Sequence, residues 1–111
     1  MSLKLATKQK TIKIVVIEDN RLTRLSLKSA LNEYEDISVI GDTEDTFTGQ
    51  MMVKEIEPDI VLIDLGLSDG NGIEAISKIR ARNKSVKIIA LTSHSNNQEV
   101  LNALMNGANA Y

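Results

Sequence analysis

Three places in this sequence put polar residues directly after a short apolar run. Glu18 and Asp19 follow Ile12–Ile17, Asp64 follows Ile60–Ile63, and Thr92 and Ser93 follow Val86–Leu91. Taken singly, each also fits a helix cap or a turn, and Asp19-Asn20 reads as one. Taken together, they offer three carboxylates and a hydroxyl. Carboxylates brought close repel one another, so such a cluster needs either a raised pKa or a cation. A hard divalent ion with oxygen ligands is the natural partner, and Mg²⁺ suits a site of one or two carboxylates completed by water and phosphate oxygens. Beside a nucleophilic carboxylate and a hydroxyl, such an ion is equipment for phosphoryl transfer.

For these residues to meet, the apolar runs must be neighbouring strands pointing the same way. The three runs are β-branched, short and apolar on both faces, as strands buried in a parallel sheet require. A weaker fourth run, Ile37–Ile40, closes at Gly41-Asp42. Helical patterns lie between the runs. After Asn20, a candidate N-cap, Leu27, Ala30, Leu31 and Tyr34 keep i, i+3, i+4, i+7 spacing. A second segment, about 44–57, carries Met52, Val53 and Ile56 before Pro58, with poor formers at Thr46, Thr48 and Gly49. Ile73, Ile76 and Ile79 mark a third helix, and Val100, Leu101 and Leu104 a fourth, stopped at Gly107. Strand–helix alternation predicts right-handed crossovers and an open, doubly wound α/β sheet. All strand C-termini then share one edge, where such sheets bind ligands.

Composition narrows the function classes. The chain has 111 residues, 13 Lys+Arg against 15 Asp+Glu, and no Cys. That length fits one domain, and the absence of thiols excludes disulfide, thiolate-metal and thiol-redox chemistry in it. No apolar run approaches the ~20 residues that span a bilayer, and there is no signal-peptide core; we expect a cytoplasmic domain without membrane contact. A net charge of −2 argues against nucleic-acid binding by this chain, and three aromatics, Tyr34, Phe47 and Tyr111, are too few for base stacking. Lys78, Arg80, Arg82, Lys84 and Lys87 form a basic stretch that reads as solvated helix ends. Residues 1–11 read as a flexible tail and 12–111 as the domain.

In the segments IKIVVIEDN, EPDIVLIDLGLSDGNG, KIIALTSH and NALMNGANAY, the chain resembles the receiver domains of two-component response regulators, CheY-like proteins. The resemblance spans residues 12–111 in the family's order and spacing. It implies the flavodoxin-like strand order 2-1-3-4-5, here truncated in strand five and lacking the last helix. It also implies that Asp64 is the phosphoacceptor, with Mg²⁺ held by Asp19 and Asp64, by Glu18 largely through water, and by the main-chain carbonyl of Gly66. Thr92 matches the hydroxyl that grips the phosphoryl group, and Tyr111 the aromatic that turns inward on activation. The implied partner is a sensor histidine kinase. The implied output is regulation of transcription through a DNA-binding domain outside this chain, and the implied chemistry is self-phosphorylation and dephosphorylation rather than turnover of a separate substrate.

Two departures stand out. Ser68 stands where the family usually has Pro, and the family's Lys, a few residues past the aromatic, has no counterpart before the chain stops at Tyr111. A binding module that is never phosphorylated is therefore the main alternative. An Asp-dependent phosphohydrolase would want a second Asp at the position of Gly66, and flavin binding would meet Glu18-Asp19 where a phosphate loop is needed. His94, two residues after Thr92, is a candidate neighbour of the attacking water and also an ordinary loop histidine. Without a last helix, apolar surface near Leu22, Leu25 and Leu31 is expected to be under-covered. That favours self-association, or a homodimer through the helix 4/strand 5 region.

Overall fold

The computed structural model describes residues 10–92 and 97–111. In chain order the elements are β1 (Ile12–Ile17), α1 (Arg21–Asn32), β2 (Ile37–Thr43), α2 (Thr46–Ile56), β3 (Ile60–Asp64), α3 (Gly72–Arg82), β4 (Lys87–Leu91) and α4 (Asn97–Met105). The strands form one parallel sheet in the order β2-β1-β3-β4, the doubly wound arrangement expected from the alternation. Past α4, Ala110 makes a single parallel bridge with Ile89 on the outer edge of β4. Its carbonyl accepts the Ala90 N–H at 2.9 Å, and Asn109 N donates to the Ile88 carbonyl at 2.7 Å. This is where the resemblance places strand five.

Alternate residues of the strands feed two cores. One joins Val15, Ile17, Val61, Ile63, Ile88 and Ala90 to Val53 of α2, Ala75, Ile76 and Ile79 of α3, and Ala103 of α4. The other is smaller: Ile14, Val16, Val39 and Leu62, covered by Leu27 and Leu31 of α1. No residue of α1 is itself buried. Among the described residues, then, three helices cover one face and one covers the other.

Local chemistry sets the helix ends. The Asn20 side chain accepts the Thr23 N–H at 2.9 Å, so Asn20 is the N-cap expected. Asp45 does the same for α2 through Thr48 N at 2.7 Å. Glu57 turns left-handed (φ 53°) and ends α2 before Pro58.

Three expectations need correction. β2 continues past Gly41-Asp42 to Thr43. The strand continues because Gly41, Asp42 and Thr43 stay paired with Val15, Val16 and Ile17 of β1, and the glycine instead admits α2: a Cβ there would lie 3.3 Å from both Ile56 Cδ1 and Met52 Sδ. Tyr34 lies beyond the end of α1 and is 61% exposed, so it is not part of the helix's apolar face. Arg80 is not a solvated helix end. Its Nε donates to the Gly107 carbonyl at 3.0 Å and its Nη2 to Asn109 Oδ1 at 2.7 Å, fastening the chain end to α3. Lys78, Arg82, Lys84 and Lys87 are exposed as expected. His94 and residues 1–9 of the tail lie outside the described residues.

Candidate functional site

Glu18, Asp19, Asp64 and Thr92 lie at the C-terminal edge of the sheet, because the strands that carry them are parallel and adjacent, while Ser93 lies outside the described residues. Ile17 pairs with Ile63 across β1 and β3, and Asp64 pairs with Leu91 across β3 and β4. The next residues are Glu18, Asp19 and Thr92. One carboxylate oxygen each from Glu18, Asp19 and Asp64 lies within 4.8 Å of the other two. Such spacing suits oxygen ligands around one divalent cation, and no further group of three potential ligands this close occurs among the described residues.

The three acids sit in different surroundings. Glu18 is 5% exposed, and its carboxyl pKa is pushed up to about 7, first by burial and then by the neighbouring Asp64. Its Oε2 accepts Asn20 N–H at 3.1 Å. Asp19 is half-buried and its carboxyl is held below the usual range, chiefly because its Oδ2 accepts the Ser68 N–H at 2.8 Å. A proline at 68 would have no such hydrogen to give. Asp64 Oδ1 accepts the Gly66 N–H at 2.8 Å. The cluster therefore carries one acid that holds its proton to higher pH than a free carboxyl does, and a cation is the other way to relieve the same crowding.

Thr92 is half-buried, one residue past Leu91, whose carbonyl accepts Leu65 N–H at 2.9 Å. Tyr111 is 69% exposed, directly after the Ala110 bridge to β4. The strand ends thus bring Glu18, Asp19 and Asp64 together, with Thr92 on the next strand end, while Tyr111 lies on the sheet's outer edge and its ring does not fill a core position.

The structure adds contacts that spacing alone did not flag. Asp69 Oδ2 accepts from both Thr46 N (3.2 Å) and Thr46 Oγ1 (3.1 Å), tying the loop after β3 to the first residue of α2. Arg24 donates through Nη1 to the Glu18 carbonyl at 2.8 Å and pairs through Nε with Asp42 at 3.1 Å, while Lys28 meets the same carboxylate at 3.2 Å. A faint signal exists for Arg24, which lies one helical turn after the N-cap; none exists for the Asp69–Thr46 pair, 23 residues apart.

Residues 14–111 match the family profile described as the response regulator receiver domain. The chain belongs to that family. Among curated relatives, the receiver is 32% identical over 100 residues to the response regulator protein VraR of Staphylococcus epidermidis, covering 90% of this chain and 48% of that protein. It is 35% identical over 100 residues to the transcriptional regulatory protein YhcZ of Bacillus subtilis, covering 90% and 47%. The chain therefore spans about half the length of the curated relatives it matches. In fold it is similar to the signal receiver domain of the NarL regulator of Mycobacterium tuberculosis, with a TM-score of 0.86 at 22% identity over 92% of this chain and 82% of that one. A LuxR-family two-component response regulator from Aurantimonas gives the same TM-score at 27% identity, over 92% and 73%. No helix among the described residues is long and apolar enough to cross a membrane.

Proposed function

We propose that this receiver accepts a phosphoryl group on Asp64 from the phosphohistidine of a sensor kinase, with Mg²⁺ held by Asp19 and Asp64, by Glu18 largely through water, and by the Gly66 main-chain carbonyl. The observation that carries the reading is the convergence of the three carboxylates within 4.8 Å on adjacent parallel strands. An Asp64 oxygen attacks phosphorus, a P–O bond forms, and the P–N bond to the donor imidazole breaks with its electron pair leaving on nitrogen. Bound there, the metal neutralises the charge that gathers on the phosphoryl oxygens. In this structure the Gly66 N–H on Oδ1 orients the Asp64 carboxylate and leaves its other oxygen to react. The Thr92 hydroxyl donates to a phosphoryl oxygen.

The new group adds roughly −1 to −2 of charge and three strong acceptors in one place. Drawing Thr92 toward it vacates space behind that side chain, and the exposed Tyr111 ring moves inward to fill it. The altered surface, near α4 and the Ala110 bridge, is the output face and a candidate homodimer contact. In this reading residues 12–111 are the receiver unit and 1–11 a tail, the protein works in the cytoplasm, and the chain turns over no substrate beyond its own aspartyl phosphate. Transcription is regulated through a DNA-binding domain outside these residues; YhcZ, about half of whose length this chain matches, is a transcriptional regulatory protein.

The test is exposure to acetyl phosphate with and without Mg²⁺, read by intact mass. A gain of one phosphoryl group that needs Mg²⁺ and vanishes in Asp64→Asn supports the reading. No gain leaves a receiver that works by binding alone.

A further inference from the structure

The loop that follows β3, residues 65–71, is seated in two ways. Leu65 and Leu67 bury their side chains, at 8% and 5% exposure, and hold its inner half. Its outer half, Ser68 to Asn71, is exposed and depends on polar anchors. Asp19 Oδ2 receives Ser68 N–H at 2.8 Å, and further back Asp64 Oδ1 receives Gly66 N–H at 2.8 Å. Both acceptors belong to the acidic cluster itself. The third anchor does not: Asp69 Oδ2 takes the N–H and the hydroxyl of Thr46, while Asp69 Oδ1 takes Asn71 N–H at 3.0 Å. Thr46 is 5% exposed at the start of α2, so this anchor is fixed in the body of the fold.

We propose that Asp69 is a positioning residue for the cation site, its bonds to Thr46 keeping the loop in place while Asp19 and Asp64 give their oxygens to the metal. The inference rests on the reading of the acidic cluster given above. A cation drawn to the cluster competes with the Ser68 and Gly66 N–H groups for carboxylate oxygens. A loop held by those two bonds alone would have to be ordered again around the metal, at a cost in conformational entropy. The Asp69–Thr46 bonds remove that cost because they involve no metal ligand. They also start at the residue where α2 begins, so the same contact ties the position of that helix to the state of the site.

The experiment titrates Mg²⁺ alone into the protein and follows the backbone amide resonances of Gly66 and Ser68, with amide hydrogen exchange measured in the metal-free state. Asp69→Ala is expected to weaken the Mg²⁺ midpoint roughly three- to tenfold, the scale of a lost charge-assisted hydrogen bond partly screened by solvent. It also speeds exchange at Ser68. Thr46→Val, which removes the hydroxyl donor without changing any charge, moves both readouts the same way by a smaller factor. Thr46→Ser restores the wild-type values. Asp69→Asn, which keeps a carbonyl acceptor but loses the charge, stays closer to wild type than Asp69→Ala. Equal losses in Asp69→Asn and Asp69→Ala with no change in Thr46→Val would assign the effect to bulk charge and overturn the proposal. So would a lowered melting temperature with an unmoved Mg²⁺ midpoint. A wild-type protein whose loop resonances ignore Mg²⁺ overturns the metal reading itself, and this inference with it.

Discussion

The two faces of the sheet are finished to different degrees. On one, α2, α3 and α4 close over Val15, Ile17, Ile63, Ile88 and Ala90, and these strand residues are inaccessible to solvent. On the other, among the described residues, α1 covers Ile14, Val16, Val39 and Leu62, and it leaves Leu22 77% and Leu25 44% exposed. The acidic cluster sits on the edge where the faces meet. Its rigidity comes from the well-covered side: α2 receives the Asp69 anchor, and α3 begins at Gly72, where a Cβ would come within 3.1 Å of the Asp64 carbonyl. The thin side contributes α1, whose Arg24 braces the loop after β1. Stability is thus concentrated on one face, and surface available for contact on the other.

Adjacent residues of β3 test this most directly. Ile63 faces the thick core between Ile17 and Ala90, and Leu62 faces the thin one between Val16 and Ile89. Ile63→Ala is expected to cost about 3–5 kcal/mol, since its rigid surroundings cannot collapse into the cavity. Leu62→Ala should fall nearer 2 kcal/mol, because the open side can relax and admit water. Chemical denaturation measures both, and equal losses would break the comparison. Gly49→Ala probes the same thick core from the helix side. A Cβ there would meet Ile17 Cδ1 and Cγ1, both buried, so overpacking of about 1–3 kcal/mol outweighs the gain in helix propensity, about 1 kcal/mol.

Much of this contrast was legible in the sequence. The β-branched runs named three strands of the sheet, Asn20 named the start of α1, and the strand ends named the acids that converge. The parallel arrangement does the rest, since it brings residues 45 apart to one edge whatever lies between. The end of β2 was illegible because a glycine that admits a neighbouring helix and a glycine that ends a strand look alike until the packing is known. Arg80 failed for a related reason. A cation in a basic run reads as solvated, and nothing local says that Gly107 and Asn109 will return to it. The Asp69–Thr46 contact joins two residues that each look like ordinary turn or cap formers, so only the fold reveals the pair.

At the edge itself the expected effect is a pH dependence. Glu18 keeps its proton up to about pH 7 in the fold, but gives it up near 4.5 when unfolded. Folding therefore takes up a proton between those values. The stability linked to Glu18 is fully present below about pH 4.5 and is lost as pH rises through about 7. Asp19 has the opposite sign: its lowered pKa contributes stability above its ordinary value of 3.8, lost as pH falls through its folded-state pKa. Thermal melts of the metal-free protein between pH 4.5 and 8 should fall with rising pH, and Glu18→Gln should flatten that slope. Mg²⁺ needs the ionised carboxylate, so its affinity should climb over the same window.

The smallest stability effect belongs to the thin face. Leu22→Lys with Leu25→Lys replaces exposed side chains that bury little, so the change should stay within about 0.5 kcal/mol. What should change is association. Leu22 and Leu25 are exposed three residues apart on α1 and form an apolar strip, and such strips drive copies together. Sedimentation at rising concentration should show the wild-type chain associating and the double variant remaining monomeric, with nearly coincident denaturation curves. If the two associate equally, the contact lies elsewhere, and the region of α4 and the Ala110 bridge becomes the surface to test. If the double variant loses several kcal/mol instead, α1 is more deeply committed to the core than its exposure implies, and the two faces are more nearly equal than their coverage suggests.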